Sequence, residues 1–470
     1  MALSSWDDAI WDDLRDQDRN IVCCSAPGKV LIAGGYLVLD EQYTGTVLGI
    51  SARFRSQITP LRPNQSTICP DVVLLAPQLS CQTTRWSLDA SMALSLTSPP
   101  NNAFVFATVQ CSFAVLNHAL SQATFAEILG AGILIRTLAD PQFYSGIGPD
   151  GVATSKTGLG SSATLVASLT SAIFAFFGHP DGHVGQICYR TAQMAHCVAQ
   201  GQVGSGFDIS AAFFGSQIYR RFPAATLQHF IANDVTHRHG NSPRLLLPSL
   251  PHVITDNQLW SGHHPRPFRL PPCIDLVLGD VYGGSRTPDM VRKVLAWRSN
   301  APAAWEQLAA LNSTFVDKLN ALHEAFSVDP QSYRHVMGSA AVSDVTDWRT
   351  DAGNAIGDKL TEIRTTFSAI RAALRQMGSL ACVDIEPNSQ SRLLDATMAE
   401  AGVICAGVPG AGGYDAVFAL IINDESFGSR NRVRRLWSSW TECRVNFIDV
   451  RQDDAGIILQ ANPSTSAMSL

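Results

Sequence analysis

The sequence predicts a mixed α/β protein built from two domains. Its 470 residues exceed what a single hydrophobic core usually supports. Short apolar segments with strand character alternate with longer runs of helical spacing, and a stretch rich in Pro, His, Asn and Ser separates two such series at 223–272. We therefore predict an N-terminal domain over 21–222 and a C-terminal domain over 273–460. An acidic extension at 1–20 and a tail at 461–470 would flank them.

Composition excludes several classes of partner. The net charge is -6, and no long basic run is present, so neither nucleic acid nor an anionic membrane is expected as a partner. The first residues are rich in aspartate, unlike a signal peptide, and the most apolar window, 163–177, is too short to span a bilayer. The 11 cysteines form no C-x-x-C pair. We expect a cytoplasmic protein with reduced thiols, either a monomer or a homodimer.

The first half of the chain is predicted to begin as a sheet. The segment 21–38 contains an apolar strand, a P-G-K turn and a second apolar strand, with Lys29 at the turn. Helices are predicted at 104–120 and 184–200, and a polar, Gly-rich loop at 140–157. Further strands are predicted at 45–58, 72–75, 133–138 and 216–222.

The stretch K-T-G-L-G-S-S-A at 156–163 is the first candidate for a ligand site. Two glycines one residue apart let the backbone approach a bulky anion, and the paired serines add hydroxyl donors. The apolar run behind them, up to Gly178, has helical spacing, so an anion would lie at the N-terminus of a helix. Taken alone, such a G-x-G pair is more often only a tight turn.

The second half is predicted to be mostly helical around a few strands. A strand at 273–278 leads into the loop G-D-V-Y-G-G-S-R-T-P, and the strand V-I-C-A at 403–406 leads into the loop G-V-P-G-A-G-G-Y-D-A. A last strand is expected at 444–450. Helices are predicted at 301–326, 332–342, 355–377, 389–401 and 430–440.

Three glycine-containing loops flanked by regular structure indicate a site that handles phosphate. They lie at 27–29, 158–163 and 407–413, and a fourth loop, G-Q-V-G-S-G-F-D, ends at Asp208. The Walker pattern and the G-x-G-x-x-G fingerprint after a strand are absent, so neither a P-loop fold nor a Rossmann fold is indicated. The signatures of protein kinases are missing too.

These motifs resemble those of a known family. S-A-P-G-K-V-L-I-A-G-G-Y at Ser25, K-T-G-L-G-S-S-A at Lys156 and G-V-P-G-A-G-G-Y-D-A at Gly407 resemble the three ordered motifs of the GHMP small-molecule kinases. Within that superfamily the chain most resembles the phosphomevalonate kinases of the fungal and plant type. That closer resemblance rests on G-G-Y-L-V-L-D, A-H-C-V-A-Q-G-Q-V-G-S-G-F-D, G-D-V-Y-G-G-S-R-T-P and D-I-E-P at Asp384.

The resemblance implies a fold and a reaction. The fold would pair an α/β N-terminal domain, similar to ribosomal protein S5, with a ferredoxin-like α+β C-terminal domain, and the active site would lie between them. The reaction would transfer the ATP γ-phosphoryl group onto the phosphate of (R)-5-phosphomevalonate, giving 5-diphosphomevalonate and ADP. That step belongs to the mevalonate pathway of isoprenoid and sterol synthesis.

The resemblance also implies how ATP and magnesium are held. The loop residues Gly158, Leu159, Gly160, Ser161, Ser162 and Ala163 would surround the β- and γ-phosphates. Lys156 is a weaker phosphate candidate, and Asn101 and Asn102 are candidates for the nucleotide pocket. Ser162 resembles the hydroxyl that helps to hold Mg²⁺ in relatives. Where several relatives add a glutamate, this chain has Cys197, with His196 beside it, so ATP oxygens, Ser162 and water would hold the ion. His196 itself is interpreted as a packed helix residue.

Two further residues would serve catalysis. Lys29 resembles the family's active-site lysine, placed to neutralise the phosphoryl group in transfer. Asp208 resembles the aspartate that takes a proton from a hydroxyl acceptor, although without the resemblance it could be a helix N-cap. A phosphate monoester has its second pKa near about 6, so this acceptor needs little deprotonation. Our hypothesis is that Asp208 mainly orients Lys29 and the acceptor.

The acceptor phosphate needs its own positive and polar groups, because two anionic substrates repel each other. Ser285, Arg286 and Thr287 are the candidates, with Arg53, Lys293 and Arg392 as weaker ones. In the third motif, Gly410, Gly412 and Gly413 would let the loop close against the site. The alternatives are a kinase for a hydroxyl acceptor such as mevalonate, a diphosphomevalonate decarboxylase, and a non-catalytic ligand sensor on the same fold.

Overall fold

The computed structural model describes most of the chain. The acidic extension 1–20, part of the predicted connector at 233–248 and the tail at 462–470 lie outside the described residues. Within the described part, no helix combines the length and the apolar character needed to cross a bilayer. The described residues are 21–62, 70–79, 83–89, 94–98, 102–147, 153–232, 249–262, 265–282, 287–299, 301–349, 355–423 and 428–461.

Strands and helices are mixed along the whole chain. The strands are β1 (Val22–Ala33), β2 (Thr44–Pro60), β3 (Asp71–Leu75), β4 (Thr83–Leu88), β5 (Leu94–Ser98), β6 (Gly132–Ala139), β7 (Tyr144–Ile147), β8 (Ala153–Lys156), β9 (Gln217–Arg220), β10 (Arg266–Pro267), β11 (Ile274–Val281), β12 (Val403–Gly407), β13 (Ala416–Ile422), β14 (Val445–Ile448) and β15 (Ile458–Ala461). The helices are α1 (Ala103–Ala119), α2 (Gln122–Leu129), α3 (Ser161–Phe177), α4 (Gln186–Gln200), α5 (Phe207–Phe214), α6 (Ala225–Ala232), α7 (Leu250–Thr255), α8 (Thr287–Arg298), α9 (Pro302–Val328), α10 (Pro330–Val342), α11 (Ala355–Ala381), α12 (Asn388–Met398) and α13 (Ser429–Ser438).

A large sheet forms the first structural unit. In the described part its strands run in the order β10-β9-β2-β6-β3-β4-β5, and β1 pairs antiparallel with both β2 and β15. Helix α3 packs on β1 and β2, and α1, α4 and α5 surround α3. The helices and the sheet share one hydrophobic core, in which Ile50, Phe54 and Phe174 are buried. This packing fixes the N-terminal ends of α3 and α5 relative to the strand that carries Lys29.

The predicted turn at Lys29 is wrong, because β1 is one continuous strand. Its pairing with β2 shifts register between Pro27 and Gly28, which marks a bulge. Proline lacks an N–H and interrupts a ladder at a single residue, so a bulge absorbs the irregularity and the strand continues. Lys29 lies opposite Gly49 just after the bulge.

A smaller sheet forms the second unit, with strand order β12-β13-β11-β14 and antiparallel pairing throughout. The long helices α9 and α11 pack against each other, and α11 also packs on β12. Phe315, Phe367 and Phe418 are buried together in this region, with ring centroids of neighbouring pairs 5.1 and 5.7 Å apart. The third motif follows β12, so its loop leaves the sheet toward the first unit.

The helices predicted from apolar spacing are confirmed, and several short elements differ from the prediction. The 140–157 loop contains the hairpin β7–β8, and the loop predicted to end at Asp208 gives way one residue earlier to the helix α5. The sequence prediction also missed β4, β5, β10, β15, α2, α6, α7 and α8. These elements are short or sparsely apolar, so their spacing carried little signal.

Candidate active site

A cavity of about 230 Å³ lies between the two sheets, where the predicted motifs meet. Lys29 of β1, Gly158 of the second motif and Phe207 at the start of α5 line one side. Thr287 of α8, Gly410 and Gly412 of the third motif line the other. Because the lining comes from both units, the cavity is the cleft that the glycine-rich loops predicted.

The second motif holds its loop in a conformation that favours glycine. Gly158 and Gly160 have φ values of +74° and +84°, and a Cβ at Gly160 would lie 3.0 Å from Cε of Lys29. Gly160 is the N-cap of α3 and offers no side-chain cap to the first-turn N–H groups. Those N–H groups, with the helix dipole, form the donor set that a phosphate requires.

The same loop positions Lys29. The backbone N–H of Lys29 donates to the carbonyl of Leu159 at 3.0 Å, and its ammonium donates to the carbonyl of Gly158 at 2.9 Å. The Phe207 ring lies below the ammonium, 5.3 Å from Nζ to the centroid. Burial lowers the pKa of Lys29, and the negative charge of Asp208 opposes that effect. The Gly158 carbonyl and the Phe207 ring therefore hold the Lys29 ammonium at the glycine loop.

Asp208 lies in the first turn of α5, one residue into the helix, and is not its N-cap. The loop before it is held at three points. Gln193 Nε2 donates to the Gly206 carbonyl at 2.8 Å, Tyr219 donates to the Ser205 carbonyl at 2.6 Å, and Arg221 donates to the Gly204 carbonyl at 2.6 Å. These buried donors fix the direction in which α5 begins.

We expect Gly206→Ala to misplace Asp208. Gly206 has φ +79°, and a Cβ there would lie 2.7 Å from Phe222 and 2.9 Å from Gln193 Oε1. Strain of this kind costs about 1 to 3 kcal/mol, so both kcat and the thermal midpoint should fall. Gly204→Ala is the matched control, because its Cβ would meet its nearest neighbour at an ordinary 3.4 Å. Equal effects of the two substitutions on steady-state kinetics and melting would contradict this account.

His196 is a site residue whose position the sequence did not predict. It is buried, as expected of a packed residue, but its Nε2 lies 3.2 Å from Ser162 Oγ and 3.9 Å from Asp208 Oδ2. Its neighbour Cys197 is buried, and burial raises the pKa of that thiol to about 12. A thiol that stays protonated is no ligand for a hard cation.

The donor set fits a magnesium ion carried by a nucleotide. Ser162 Oγ and the Asp208 carboxylate supply hard oxygen ligands, the class that Mg²⁺ prefers. Among the described residues, no group of three or more His, Cys, Asp or Glu side chains could hold a metal alone. Mg²⁺ usually binds through one or two protein oxygens together with phosphates and water.

The third motif is locked to the first by close backbone contacts. Gly410 N–H donates to the Leu31 carbonyl at 3.0 Å, and Tyr36 donates to the Ala411 carbonyl at 2.7 Å. Tyr36 is buried and has φ +65°, an uncommon conformation for a residue with a side chain. A Cβ at Gly35 would lie 2.2 Å from the Gly410 carbonyl oxygen. The G-G-Y sequence of the first motif therefore joins the two units beside the cavity.

Gly413 supports this loop and is not among the cavity-lining residues. Its N–H donates to the carbonyl of Ile385 at 2.8 Å, and its φ is +100°. The D-I-E-P segment thus holds the third motif in place through the Ile385 carbonyl. Gly410 and Gly412, in contrast, line the cavity as expected of residues that close on a substrate.

The prediction that Arg53 binds substrate is wrong. Its side chain is buried, and each guanidinium N–H already has an acceptor in Ser25, Asp453, Ala455 or Gly456. The Arg53–Asp453 ion pair is 2.6 Å long. Through Asp453, Ala455 and Gly456, Arg53 holds the segment that leads into β15 against the sheet.

The remaining predicted residues divide into three groups. Thr287 lines the cavity and Lys156 is exposed at the end of β8, close enough for its charge to lower the pKa of His196. A second group makes other contacts. The Asn102 side-chain oxygen caps α1 by accepting from the N–H groups of Phe104 and Val105 at 3.1 Å. Arg392 pairs with Glu442, and Lys293 donates to the Cys382 carbonyl at 3.5 Å. Asn101, Ser285 and Arg286 lie outside the described residues.

Comparisons with known proteins identify the fold. A profile of the GHMP kinases N terminal domain matches residues 144–216. Two solved structures share the fold over most of the chain. Lin0012 from Listeria innocua has a TM-score of 0.59 at 16% identity and covers 94% of this chain and 99% of its own. The Streptococcus pneumoniae phosphomevalonate kinase in complex with phosphomevalonate and AMPPNP has a TM-score of 0.54 at 15% identity and covers 92% and 99%.

The chain thus has the two-domain fold of the GHMP kinases. Sequence comparison narrows the class. The peroxisomal phosphomevalonate kinase of Arabidopsis thaliana is 32% identical over 95% of this chain and 98% of its own length. The phosphomevalonate kinase of Candida albicans is 32% identical over 85% and 89%. The chain belongs to the phosphomevalonate kinase family.

Proposed function

We propose that this enzyme transfers the γ-phosphoryl group of ATP to the phosphate of (R)-5-phosphomevalonate, giving 5-diphosphomevalonate and ADP. One observation carries the proposal: the Lys29 ammonium lies between the uncapped N-terminus of α3 and a cavity closed by the third motif. The N-terminus of α3 can hold the phosphates of the donor, and the cavity can hold the acceptor. Family membership supports the choice of acceptor.

The residues around the cavity would have different roles in the reaction. First-turn N–H groups of α3 bind the β- and γ-phosphates, where the helix dipole opposes their negative charge. Lys29 stabilises the charge that spreads over the phosphoryl oxygens during transfer. Ser162, with Asp208 nearby, would hold the magnesium ion that accompanies ATP, and that ion neutralises phosphate charge when bound.

The cavity lining suits the carbon skeleton of a small hydroxy acid. Leu31, Val38, Leu159, Phe207 and Val291 contribute apolar surface, and Thr287 adds a hydroxyl. Sites for small molecules are usually lined by many apolar side chains and a few polar ones. Placement in isoprenoid and sterol precursor synthesis follows from the proposed product. The predicted cytoplasmic location stays a prediction, and the plant relative is named as peroxisomal.

We expect Asp208→Asn to move the alkaline limb of the pH profile. Burial lowers the pKa of Lys29 and the Asp208 charge raises it, so removing that charge lowers the pKa further. The alkaline fall in kcat/KM should then occur at lower pH in the variant. The acidic limb should stay near about pH 6 in both proteins, because it reports the acceptor phosphate. An acidic limb found in the wild type alone would instead make Asp208 a general base.

The reaction is tested by measuring kcat/KM for ADP release with three acceptors. We expect 5-phosphomevalonate to exceed mevalonate and 5-diphosphomevalonate by several orders of magnitude. Preference for mevalonate would indicate a hydroxyl kinase, and carbon dioxide release from 5-diphosphomevalonate would indicate a decarboxylase. No turnover with any acceptor would indicate a ligand sensor, and each of these results would overturn the proposal.

A further inference from the structure

The buried imidazole of His196 joins two parts of the site that the proposed reaction uses. Its Nε2 lies 3.2 Å from the hydroxyl of Ser162, in the first turn of α3, and 3.9 Å from the carboxylate of Asp208, in the first turn of α5. The ring packs on Phe104, with centroids 5.6 Å apart, and only 4% of the side chain is exposed. The packing leaves the ring little freedom to turn away from Ser162.

The neighbours of Nε2 indicate that this nitrogen accepts hydrogen bonds. The Gln200 amide nitrogen lies 3.3 Å away, and Ser162 Oγ lies at hydrogen-bonding distance. Both groups can donate, and the unprotonated nitrogen of a neutral imidazole can accept. Asp208 Oδ2, at 3.9 Å, is too distant to require a proton on Nε2.

We infer that His196 is a positioning residue that accepts the hydroxyl proton of Ser162, so that the lone pairs of Ser162 Oγ face the cation and phosphates of MgATP. A free hydroxyl would also rotate to donate to phosphate oxygen, and its lone pairs would then point elsewhere. Fixing the proton on the histidine side prepares the oxygen as a ligand for a hard cation. This inference rests on the proposed function, since it concerns the same nucleotide site.

The test measures the equilibrium affinity of a non-hydrolysable ATP analogue with Mg²⁺ and with EDTA. The quantity compared is the ratio of the Kd in EDTA to the Kd in Mg²⁺, which reports how much the cation strengthens binding. The variants are His196→Leu, His196→Gln, Ser162→Ala and the double variant His196→Leu with Ser162→Ala. Cys188→Ala is the control, because Cys188 is also fully buried on α4 but contacts neither Ser162 nor Asp208.

We expect His196→Leu to lower the Kd ratio about tenfold, the scale on which groups that orient metal ligands act. His196→Gln should recover most of it, because glutamine also offers an acceptor at that distance along the side chain. In the Ser162→Ala background, His196→Leu should change the ratio little, since the hydroxyl that it orients is gone. Cys188→Ala should lower the melting temperature and leave the ratio unchanged.

Two results would overturn the inference. One is a Kd ratio that stays at the wild-type value in both His196→Leu and His196→Gln. The other is that His196→Leu lowers the Kd ratio by the same factor in the wild type and in the Ser162→Ala variant. Melting curves identify a variant that fails to fold. In that case His196→Met, which fills the space without offering a nitrogen or oxygen acceptor, replaces His196→Leu with and without the Ser162 hydroxyl. Failure of the wild type to bind the analogue at all would count against the proposed function, which separates the two failures.

Discussion

Replacing Lys29 by methionine should lower kcat by about 10²- to 10³-fold, the cost of losing one fixed donor to transition-state charge. Methionine keeps the unbranched apolar stem that packs against Gly160, so the protein should still fold. The loss comes from the ammonium, which Gly158 and Phe207 hold at the glycine loop. Because that charge acts on the transition state, kcat and kcat/KM should fall by similar factors.

Lys318→Met is the matched control for this prediction. Lys318 pairs with Glu362 at 2.6 Å in a partly exposed ion pair of the second unit, and it is not among the cavity-lining residues. Its replacement should leave kcat within about twofold of wild type, because a surface pair contributes little. Steady-state kinetics with ATP and 5-phosphomevalonate measure both variants. A Lys29→Met enzyme with near-normal kcat would remove Lys29 from the catalytic machinery.

Glu386→Gln should lower the free energy of unfolding by about 3 kcal/mol, toward the lower end of the range for breaking a buried ion pair. Glu386 is buried and pairs with Arg371 at 2.6 Å and with Arg375 at 2.8 Å. The neutral amide leaves the buried Arg371 without its main partner, although Asp395 remains 2.9 Å away. The third motif should also loosen, since the adjacent Ile385 carbonyl accepts from Gly413.

Chemical denaturation measures this loss, and its pH dependence gives a second check. Burial alone would raise the pKa of Glu386, but hydrogen bonds and charge from Arg371 outweigh burial and lower it. A lowered folded-state pKa means that the stabilising contribution is complete above the usual value of about 4.3 and is lost as the pH falls through the folded value. The difference between wild type and Glu386→Gln should therefore shrink below about pH 4.3.

Glu362→Gln, on the helix α11 that also carries Arg371, is the control for Glu386→Gln. Its partner Lys318 lies at the surface, so the free energy of unfolding should change by less than about 1 kcal/mol. Equal destabilisation by the two substitutions would show that the buried network does not carry the stability assigned to it.

The fold class and the loops that meet in the cleft could be predicted from the sequence, because glycine spacing and helical periodicity are local signals. The helix after Gly160 begins where the motif predicts, and Gly178 ends it with the N–H of Gly178 donating to Ala175 and that of His179 to Phe174. Lys29 reaches the glycine loop although its predicted turn does not exist. The positive charge of Lys29 indicated the phosphate site even though the turn predicted at Lys29 was wrong.

Tertiary pairing decided what the sequence could not show. Arg53 looked available for phosphate, but three of its partners, Asp453, Ala455 and Gly456, lie about 400 positions further along the chain. His196 was predicted to be merely packed, since helical spacing alone does not reveal that α3 and α5 both begin beside its ring. Tyr36 carried one signal, the G-G-Y sequence, but its bond to Ala411 depends on how the two units meet.

The central claim is that the acceptor atom is a phosphate oxygen, and phosphorus NMR of the product tests it most directly. With ATP, Mg²⁺ and 5-phosphomevalonate, we predict that the phosphomonoester resonance is replaced by two coupled resonances of a diphosphate while ADP accumulates. A second, uncoupled phosphomonoester resonance, or ADP formed only when mevalonate replaces 5-phosphomevalonate, would show transfer to a hydroxyl and contradict the account.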